Sequence, residues 1–226
     1  FNNDTADTLV KGSLPSAGRS MGAVSSPSHG YIGGGYYPSI GTISHIYRVD
    51  YANDTATTSQ VGNFNTPGKI YANAVGNKDF GYFGGGRNPN ITTIQRLDFS
   101  NDSANCLVKG AMTATTYSRG TAGNLNFGYF AGGYDPATQP NYNRSLVDRI
   151  DYSNDTAVAS PKGSLSQSRS YIASHGDNNF GYHMGGFQPA TLSTVDRIDY
   201  SNDTSTATPK GHLETAIWAA GGTGTS

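Results

Sequence analysis

Apolar and polar residues alternate along several short segments of the chain, and similar segments return at regular intervals. In the segment 193–200, Ile198 and Tyr200 alternate with polar residues, and Val195 is a further apolar position. A period of two is typical of a β-strand with one buried face. Gly, Pro, Asn and Asp bound these segments, so the pattern predicts many short antiparallel strands joined by tight turns.

A motif of the form aromatic-x-Asn-Asp-Thr/Ser marks the repeat. It begins at residues 1, 51, 99, 152 and 200, so the spacings are 50, 48, 53 and 48 residues. A period of roughly 40–50 residues with strand-like content is typical of propeller blades or solenoid units. Helical periodicity is absent, which favours the propeller.

One repeat, residues 169–211, illustrates the predicted blade. Strands are predicted at 169–174, 180–186, 193–200 and around 206–208, with the Asn-Asp-Thr turn between the third and the fourth. Four short antiparallel strands per repeat fit a propeller blade. We therefore predict an all-β fold, a single domain over residues 1–226 with about 4.5 repeats of this kind.

Glycines end the second predicted strand of each repeat, at residues 33–35, 84–86, 132–133 and 185–186. Glycine tolerates left-handed backbone conformations and lets backbones approach closely. We therefore expect unusual dihedral angles at these positions. We also expect the second strand to lie near the axis, where neighbouring repeats are most crowded.

The repeat resembles the kelch repeat, which has an Arg near its start, an aromatic strand ending in Gly-Gly, and a strand ending in an aromatic-Asp turn. The residues that carry this resemblance are Arg169, Tyr182, Gly185, Gly186, Val195 and Asp199. It covers nearly the whole chain and implies a β-propeller. The Trp that kelch repeats carry after the turn is replaced by small residues such as Ala157 and Ala207.

The sequence of the repeats, with Asn-Asp-Thr-Ala and Val-Asp-Arg-Ile-Asp-Tyr, also resembles repeat arrays in virion structural proteins of marine tailed bacteriophages, cyanophages among them. This resemblance implies a virion or extracellular location, with other virion proteins, a host-surface receptor or a glycan as partners. The motif occurs five times and the second strand four times. We therefore expect an oligomer, or part of a larger propeller.

Candidate binding residues lie in two sets of loops that strand alternation places on one face. The loops after the second strand contribute Tyr36, Tyr37, Arg87, Tyr134, Tyr142 and Phe187, and the segments before the first strand contribute Arg19, Arg119 and Arg169. Aromatic rings beside cationic and amide groups suit contact with a glycan or a protein. The alternative is that these rings pack on the neighbouring blade.

Other chemistry finds little support in the sequence. A formal net charge of −1 gives no basic field for nucleic acid, and the apolar runs are too short for membrane insertion. We find no motif for catalysis, metal binding or a cofactor, and we predict none of these. Arg48 and its equivalents precede an Asp by two residues, which predicts a structural ion pair or a turn cap.

These features together predict a non-enzymatic structural or adhesion propeller that displays variable loops, as part of a phage virion or tail. The alternative is a glycan-binding lectin, whose expected mark is a similar site in every blade. A kelch-type enzyme is the third reading, and it would need ligands or acids that converge on the axis.

Overall fold

The chain folds into four successive four-stranded antiparallel sheets, seen in a computed structural model that describes residues 8–219. Sheet 1 contains β1 (Gly22–Ser25) and β2 (His29–Gly33), then after the ribbon of β3 (Tyr36–Tyr37) and β4 (Gly41–Thr42), β5 (His45–Asp50) and β6 (Ser59–Asn63). Sheet 2 contains β7 (Asn73–Gly76), β8 (Phe80–Gly84), β9 (Thr93–Asp98) and β10 (Leu107–Ala111).

The second half of the chain repeats this plan. Sheet 3 contains β11 (Gly120–Gly123), β12 (Phe127–Ala131), β13 (Val147–Asp151) and β14 (Ser160–Lys162). Sheet 4 contains β15 (Ala173–Gly176) and β16 (Phe180–Met184), then after the ribbon of β17 (Phe187–Gln188) and β18 (Ala190–Thr191), β19 (Thr194–Asp199) and β20 (Thr208–His212). The predicted all-β fold of repeated four-stranded sheets is confirmed.

The first strand of each sheet begins later than the sequence suggests. In sheet 4 it starts at Ala173 instead of residue 169, because Tyr171 has a φ of 55°. The equivalent residues Ser20, Tyr71 and Ser118 are also left-handed. A non-glycine residue in this conformation interrupts an extended strand. Residues 169–172 therefore form a connection that precedes the strand and is not part of it.

Glycine pairs end the second strands in the left-handed region, as predicted. Gly185 and Gly186 have φ values of 62° and 102°, and a Cβ on Gly185 would lie 2.4 Å from the Ile217 carbonyl oxygen. The expectation that the second strands lie nearest the axis is wrong. A cavity of about 490 Å³ is lined by the first strands of all four sheets, whose small side chains, such as Ala23 and Ala74, allow them to converge.

Short 3₁₀ helices follow the third strands, and each is capped by an Asp. The Asp50 carboxylate accepts a hydrogen bond from the Ala52 amide at 2.9 Å, and Asp98, Asp151 and Asp199 cap in the same way. The turn cap predicted for these residues is confirmed. Within the described residues, no ion pair forms with the Arg two residues earlier, and Arg48, Arg96 and Arg149 reach the following sheet instead.

An aspartate of the Asn-Asp-Thr/Ser turn joins each of sheets 2, 3 and 4 to the sheet before it. Between sheets 2 and 3, Asp155 Oδ2 accepts hydrogen bonds from Arg96 Nη1 at 2.8 Å and from Tyr82 Oη at 3.2 Å. Lys109 Nζ lies 3.2 Å from the other oxygen of the same carboxylate. Burial, together with the Asp155 carboxylate, raises the pKa of Tyr82. The phenol therefore stays protonated and donates.

The same arrangement joins the other neighbouring sheets. Tyr31 and Arg48 donate to Asp102 at 3.0 and 2.9 Å, and Tyr129 and Arg149 donate to Asp203 at 2.9 and 2.8 Å. In each case the tyrosine ring also stacks on the first aromatic residue of the motif. The stacked pairs are Tyr31–Phe99, Tyr82–Tyr152 and Tyr129–Tyr200, with centroids 4.7–4.9 Å apart. We call this unit of Tyr, Arg and Asp with its stacked rings the latch.

Apolar side chains fill the space between the sheets behind the latch. Between sheets 2 and 3, Ile94, Phe130 and Ile150 belong to one buried cluster. A latch carboxylate therefore lies at the edge of an apolar interface, where water screens its hydrogen bonds less than at an open surface.

We predict that Asp155→Ala lowers the free energy of unfolding by about 3 kcal/mol, because Arg96 and Tyr82 lose their shared acceptor in a mostly buried site. Urea denaturation measures this change. Asp54→Ala is the matched control, since Asp54 holds the same motif position but its carboxylate is 44% exposed and pairs with Lys11. The control should lose less than about 1 kcal/mol. Equal losses would contradict the latch.

Candidate functional site: an aromatic cleft between sheets 3 and 4

One face of the molecule is built from the segments before the first strands and the loops after the second strands. Isolated β-bridges pair these segments within each repeat: Arg19 with Tyr36, Ile70 with Arg87, Tyr117 with Tyr134, and Ser170 with Phe187. The two loop sets therefore share a face, as strand alternation predicted. We call this side the loop face.

Aromatic rings form a continuous row across the loop face of sheets 2 to 4. Tyr71 stacks on Tyr117 at 5.7 Å and meets Tyr171 edge-on at 5.9 Å. Tyr171 in turn meets Trp218 edge-on at 5.3 Å. The row continues from Tyr117 through Tyr134, whose ring centroid is 5.1 Å away. Contacts of this kind orient each ring and limit its motion.

A cleft of about 610 Å³ opens in this row between the loops of sheets 3 and 4. Its aromatic lining consists of Tyr134, Tyr142, Tyr171, Phe187 and Trp218. Its polar lining includes Asn141, Asn143, Ser170 and Gln188. A concave, largely apolar site with a few fixed polar groups is the usual form of a small-ligand site.

The wall from sheet 3 is an ordered loop. The Asp135 amide donates to the Tyr142 carbonyl at 2.7 Å, and the Asp135 carboxylate caps the Ala137 amide at 3.0 Å. These bonds hold Tyr142 against Tyr134, with parallel rings 5.0 Å apart. The insertion in this repeat therefore positions a second aromatic ring in the cleft.

The opposite wall comes from sheet 4 and from the segment after β20. Phe187 and Trp218 have ring centroids 6.0 Å apart, and both rings are partly exposed to solvent. The backbone of Ile217 is fixed because its carbonyl accepts a hydrogen bond from the Gly186 amide at 2.9 Å. At the base, Ser170 Oγ donates to Asn143 Oδ1 at 2.7 Å, which holds the Asn143 carboxamide in place.

The structure places three of the nine predicted site residues in the cleft: Tyr134, Tyr142 and Phe187. Arg87 lies beside it, with its guanidinium 5.7 Å from the centre of the Tyr117 ring. Exposed Arg19 and half-buried Tyr36 form a separate pair at sheet 1, with 5.0 Å between guanidinium and ring. These two residues share the loop face but do not line the cleft.

Three predicted site residues are wrong because they are buried. Tyr37 is fully buried, and its hydroxyl points at Met21 Sδ, 3.3 Å away. Arg119 and Arg169 turn inward to Asp148 and Asp196, at 2.8 and 3.0 Å. A buried guanidinium needs a carboxylate partner, and a strand residue of the same sheet supplies it in each case. These cations are structural and cannot contact a ligand on the loop face.

Sequence reasoning missed Tyr71, Tyr117, Tyr171 and Trp218. Tyr71 and Tyr171 are the left-handed residues before first strands, Tyr117 directly precedes the left-handed Ser118, and Trp218 directly precedes the left-handed Ala219. An aromatic residue in four of these five pairs, all but Arg19–Ser20, was the available signal. This signal is hard to see in the sequence because the aromatic residue is the first of the pair in some repeats and the second in others.

Sheet 4 contains a Ser174–His183 pair whose residue types suit nucleophilic catalysis. Ser174 Oγ lies 2.8 Å from His183 Nδ1, but His183 is fully buried in the position that Phe83 and Phe130 hold in sheets 2 and 3. Burial lowers the pKa of His183 to about 3. The facing Asp196 binds Arg169 and the Ser166 amide. These contacts favour a packing role for the histidine.

Other reactive or ligating groups give no site in the described part of the chain. Cys106 is buried, and burial raises the pKa of its thiol to about 12. No group of three or more His, Cys, Asp or Glu side chains within residues 8–219 could hold a metal ion. Over the same residues, no helix is long and apolar enough to cross a membrane.

Lys69 is a buried cation that lacks the aspartate available to Arg119 and Arg169. Gln95 holds the strand position of those aspartates. Its side-chain Oε1 accepts a hydrogen bond from the Asn65 backbone amide at 2.6 Å, and its Nε2 donates to Thr66 Oγ1 at 2.8 Å. Lys69 Nζ lies over the Phe64 ring at 4.7 Å and reaches the Phe83 carbonyl at 3.5 Å. Burial lowers the pKa of Lys69 to about 8.

We predict that the contribution of Lys69 to stability rises with pH between about 8 and 9.5, so that the stability advantage of Lys69→Met over the wild type shrinks across this window. An unfolded lysine has a pKa of about 10.4, so in this window the unfolded chain binds more protons than the folded one. At pH 7 the variant should be more stable by about 2 kcal/mol. Urea denaturation at several pH values tests this, with exposed Lys78→Met as the control. A wild-type slope retained in Lys69→Met would contradict it.

Comparison with known proteins adds a fold relationship. No protein-family model matches the sequence, and no curated protein matches it. The solved structure of YjhT is similar, with a TM-score of 0.72 at 12% sequence identity, over 91% of this chain and 68% of that chain. At this identity the likeness shows that the two chains share a fold.

Proposed function

We propose that this chain is a non-enzymatic adhesion module that binds carbohydrate in the aromatic cleft between sheets 3 and 4. The observation that carries the proposal is the cleft lining, where five aromatic side chains lie beside the amide and hydroxyl groups of Asn141, Asn143, Gln188 and Ser170. The proposal combines the adhesion reading of the sequence with its lectin alternative, and it assigns a single site instead of one site per repeat.

The chemistry of the cleft suits a sugar better than a charged ligand. A pyranose presents an apolar face of C–H groups, which packs against an aromatic ring, and a rim of hydroxyl groups, which bond to carboxamides. The lining named above includes no charged side chain. The cleft volume, about 610 Å³, is in the range of small-molecule sites and would hold a short oligosaccharide.

We propose a kelch-like β-propeller as the architecture that presents this cleft. Two observations support it: the first strands of the four sheets line one cavity, and neighbouring sheets are joined by repeated latches. A rigid array with loops on one face is a common way to build a binding site. The cleft then lies between two consecutive blades.

We propose a bacteriophage virion or tail as the place where the module acts, with a host-surface glycan as its ligand. This proposal rests on the resemblance of the repeats to arrays in phage structural proteins. It leads to an expectation about binding: the ligand should be found on the outer surface of host bacteria, and enzymatic removal of surface polysaccharide should abolish attachment of the module.

Trp218 allows a direct test, because it is the only tryptophan in the chain and lies in the cleft. We predict that a bacterial-surface oligosaccharide, found by screening a glycan panel, changes Trp218 fluorescence on binding. Tyr142→Ala should weaken that binding by at least tenfold, since it removes a central stacking ring. Tyr36→Ala, on the same face but outside the cleft, is the matched control.

Two results would contradict the proposal. One is a Trp218 emission that no glycan of the panel changes at millimolar concentration. The other is a glycan that binds the Tyr142→Ala variant and the Tyr36→Ala variant equally well, which would place its site elsewhere.

A further inference from the structure

The base of the cleft between sheets 3 and 4 contains a hydrogen bond between two side chains that both line it. Ser170 Oγ donates to Asn143 Oδ1 at 2.7 Å. Ser170 is only 1% exposed, and its backbone exchanges two hydrogen bonds with Phe187, at 2.8 and 3.2 Å. Asn143 is half-buried and forms a β-bridge with Tyr134. The walls of the cleft therefore hold both partners of this bond in place.

Burial of the Ser170 hydroxyl decides which end of the Asn143 carboxamide faces it. A hydroxyl in a buried site needs an acceptor for its proton, and Asn143 is the hydrogen-bond partner that the described residues give to Ser170 Oγ. If the NH₂ group of Asn143 faced Ser170 instead, the hydroxyl proton would be buried without a partner. The carboxamide oxygen is therefore turned to Ser170, and the NH₂ group is turned away from it.

The NH₂ group of Asn143 is consequently an oriented donor with free protons. Among residues 8–219 no acceptor bonds Asn143 Nδ2, and this atom is not buried. The oxygen of the same carboxamide already accepts the Ser170 hydroxyl. At this point of its lining the cleft therefore offers a hydrogen-bond donor to whatever enters it.

A carbonyl oxygen matches such a donor better than a hydroxyl group does. A carbonyl oxygen only accepts, so a bond from Asn143 satisfies it, whereas a hydroxyl brings a proton that needs a further acceptor. Among neutral sugars, those with an acetamido group carry a carbonyl beside the ring, joined to an apolar methyl group. Aromatic rings such as Tyr142 and Tyr171 line the same cleft and suit that methyl group. The carboxamide oxygens of Asn141 and Gln188 are acceptors for the acetamido N–H.

We infer that the cleft selects sugars that carry an acetamido group. Asn143 Nδ2 donates to the acetamido carbonyl oxygen, and Ser170 is the positioning residue that orients Asn143. This inference rests on the proposed carbohydrate function of the cleft and narrows the class of its ligand.

Paired sugars test the ligand class. The probes are the methyl glycosides of N-acetylglucosamine, N-acetylgalactosamine and N-acetylmannosamine, each compared with the parent sugar that has a hydroxyl at the same carbon. Titration followed by Trp218 fluorescence should give an affinity about tenfold higher for the acetamido member of at least one pair, because its carbonyl satisfies the donor. Saturation-transfer NMR should show the strongest transfer at the acetyl methyl protons, because they lie against the rings.

Asn143→Asp tests the donor with the acetamido sugar that binds best. This substitution keeps the shape of the side chain and its bond from Ser170, but it replaces the NH₂ donor by an acceptor. Affinity for the acetamido sugar should fall about tenfold or more, and the preference over the parent sugar should disappear. Asn141→Asp is the matched control, since it places the same charge on an exposed residue of the same lining and leaves the oriented donor intact. The control should keep the preference.

Ser170→Ala tests the positioning role. Affinity for the same sugar should fall about fivefold, because the freed Asn143 carboxamide must then be ordered on binding. In the Asn143→Ala background the same substitution should have no further effect, since positioning acts only through Asn143. A merely structural role of Ser170 would weaken binding in both backgrounds.

The results that would overturn the inference differ from those that would overturn the proposed function. Equal affinity within every pair, with binding still weakened by Tyr142→Ala, would leave a carbohydrate site without acetamido selection. A loss of preference in Asn141→Asp as large as in Asn143→Asp would refute the donor, and a Ser170→Ala effect that persists without Asn143 would refute the positioning role. A cleft that binds no sugar at all would overturn both the inference and the proposed function.

Discussion

The array depends on one interaction, in which the carboxylate of the Asn-Asp-Thr/Ser turn in sheets 2, 3 and 4 is held by a tyrosine and an arginine of the preceding sheet. It recurs at Asp102, Asp155 and Asp203 with donor distances of 2.8–3.2 Å. A carboxylate at the edge of an apolar interface must be fully satisfied there, so only one relative placement of two sheets satisfies it. The repeated contact therefore fixes the position of each sheet relative to the sheet before it.

The cleft follows from this placement. Its two walls belong to different sheets, and the latch at Asp203 joins those sheets. Because the sheets are fixed relative to each other, the loops of the opposite face can vary in length without loss of the scaffold. The insertion that brings Tyr142 onto Tyr134 uses this freedom. The latches are alike and the loops differ, so the proposed binding site and the contacts that fix the sheets are separate parts of the structure.

Local features of the fold could be predicted from the sequence, whereas partners distant in sequence could not. Strand alternation, the caps at Asp50 and its equivalents, and the left-handed glycine pairs depend on neighbouring residues, and all three predictions were confirmed. Arg149 was paired with the nearby Asp151, but it binds Asp203, 54 residues away. Arg169 and Tyr37 were assigned to the surface because loop residues usually lie there, yet both fill space between elements. The cleft was predicted in part, because Tyr134 and Tyr142 lie in a visible insertion while Trp218 and Tyr171 belong to other repeats.

A double-mutant cycle on Arg149 and Asp203 tests the central claim most directly. The free energies of unfolding of the wild type, Arg149→Ala, Asp203→Ala and the double variant give the coupling between two sheets without the separate effect of each truncation. The account predicts a favourable coupling of about 1–3 kcal/mol between Arg149 and Asp203. Additive effects of the two substitutions would show that the Arg149–Asp203 contact does not couple the two sheets, and would contradict the account.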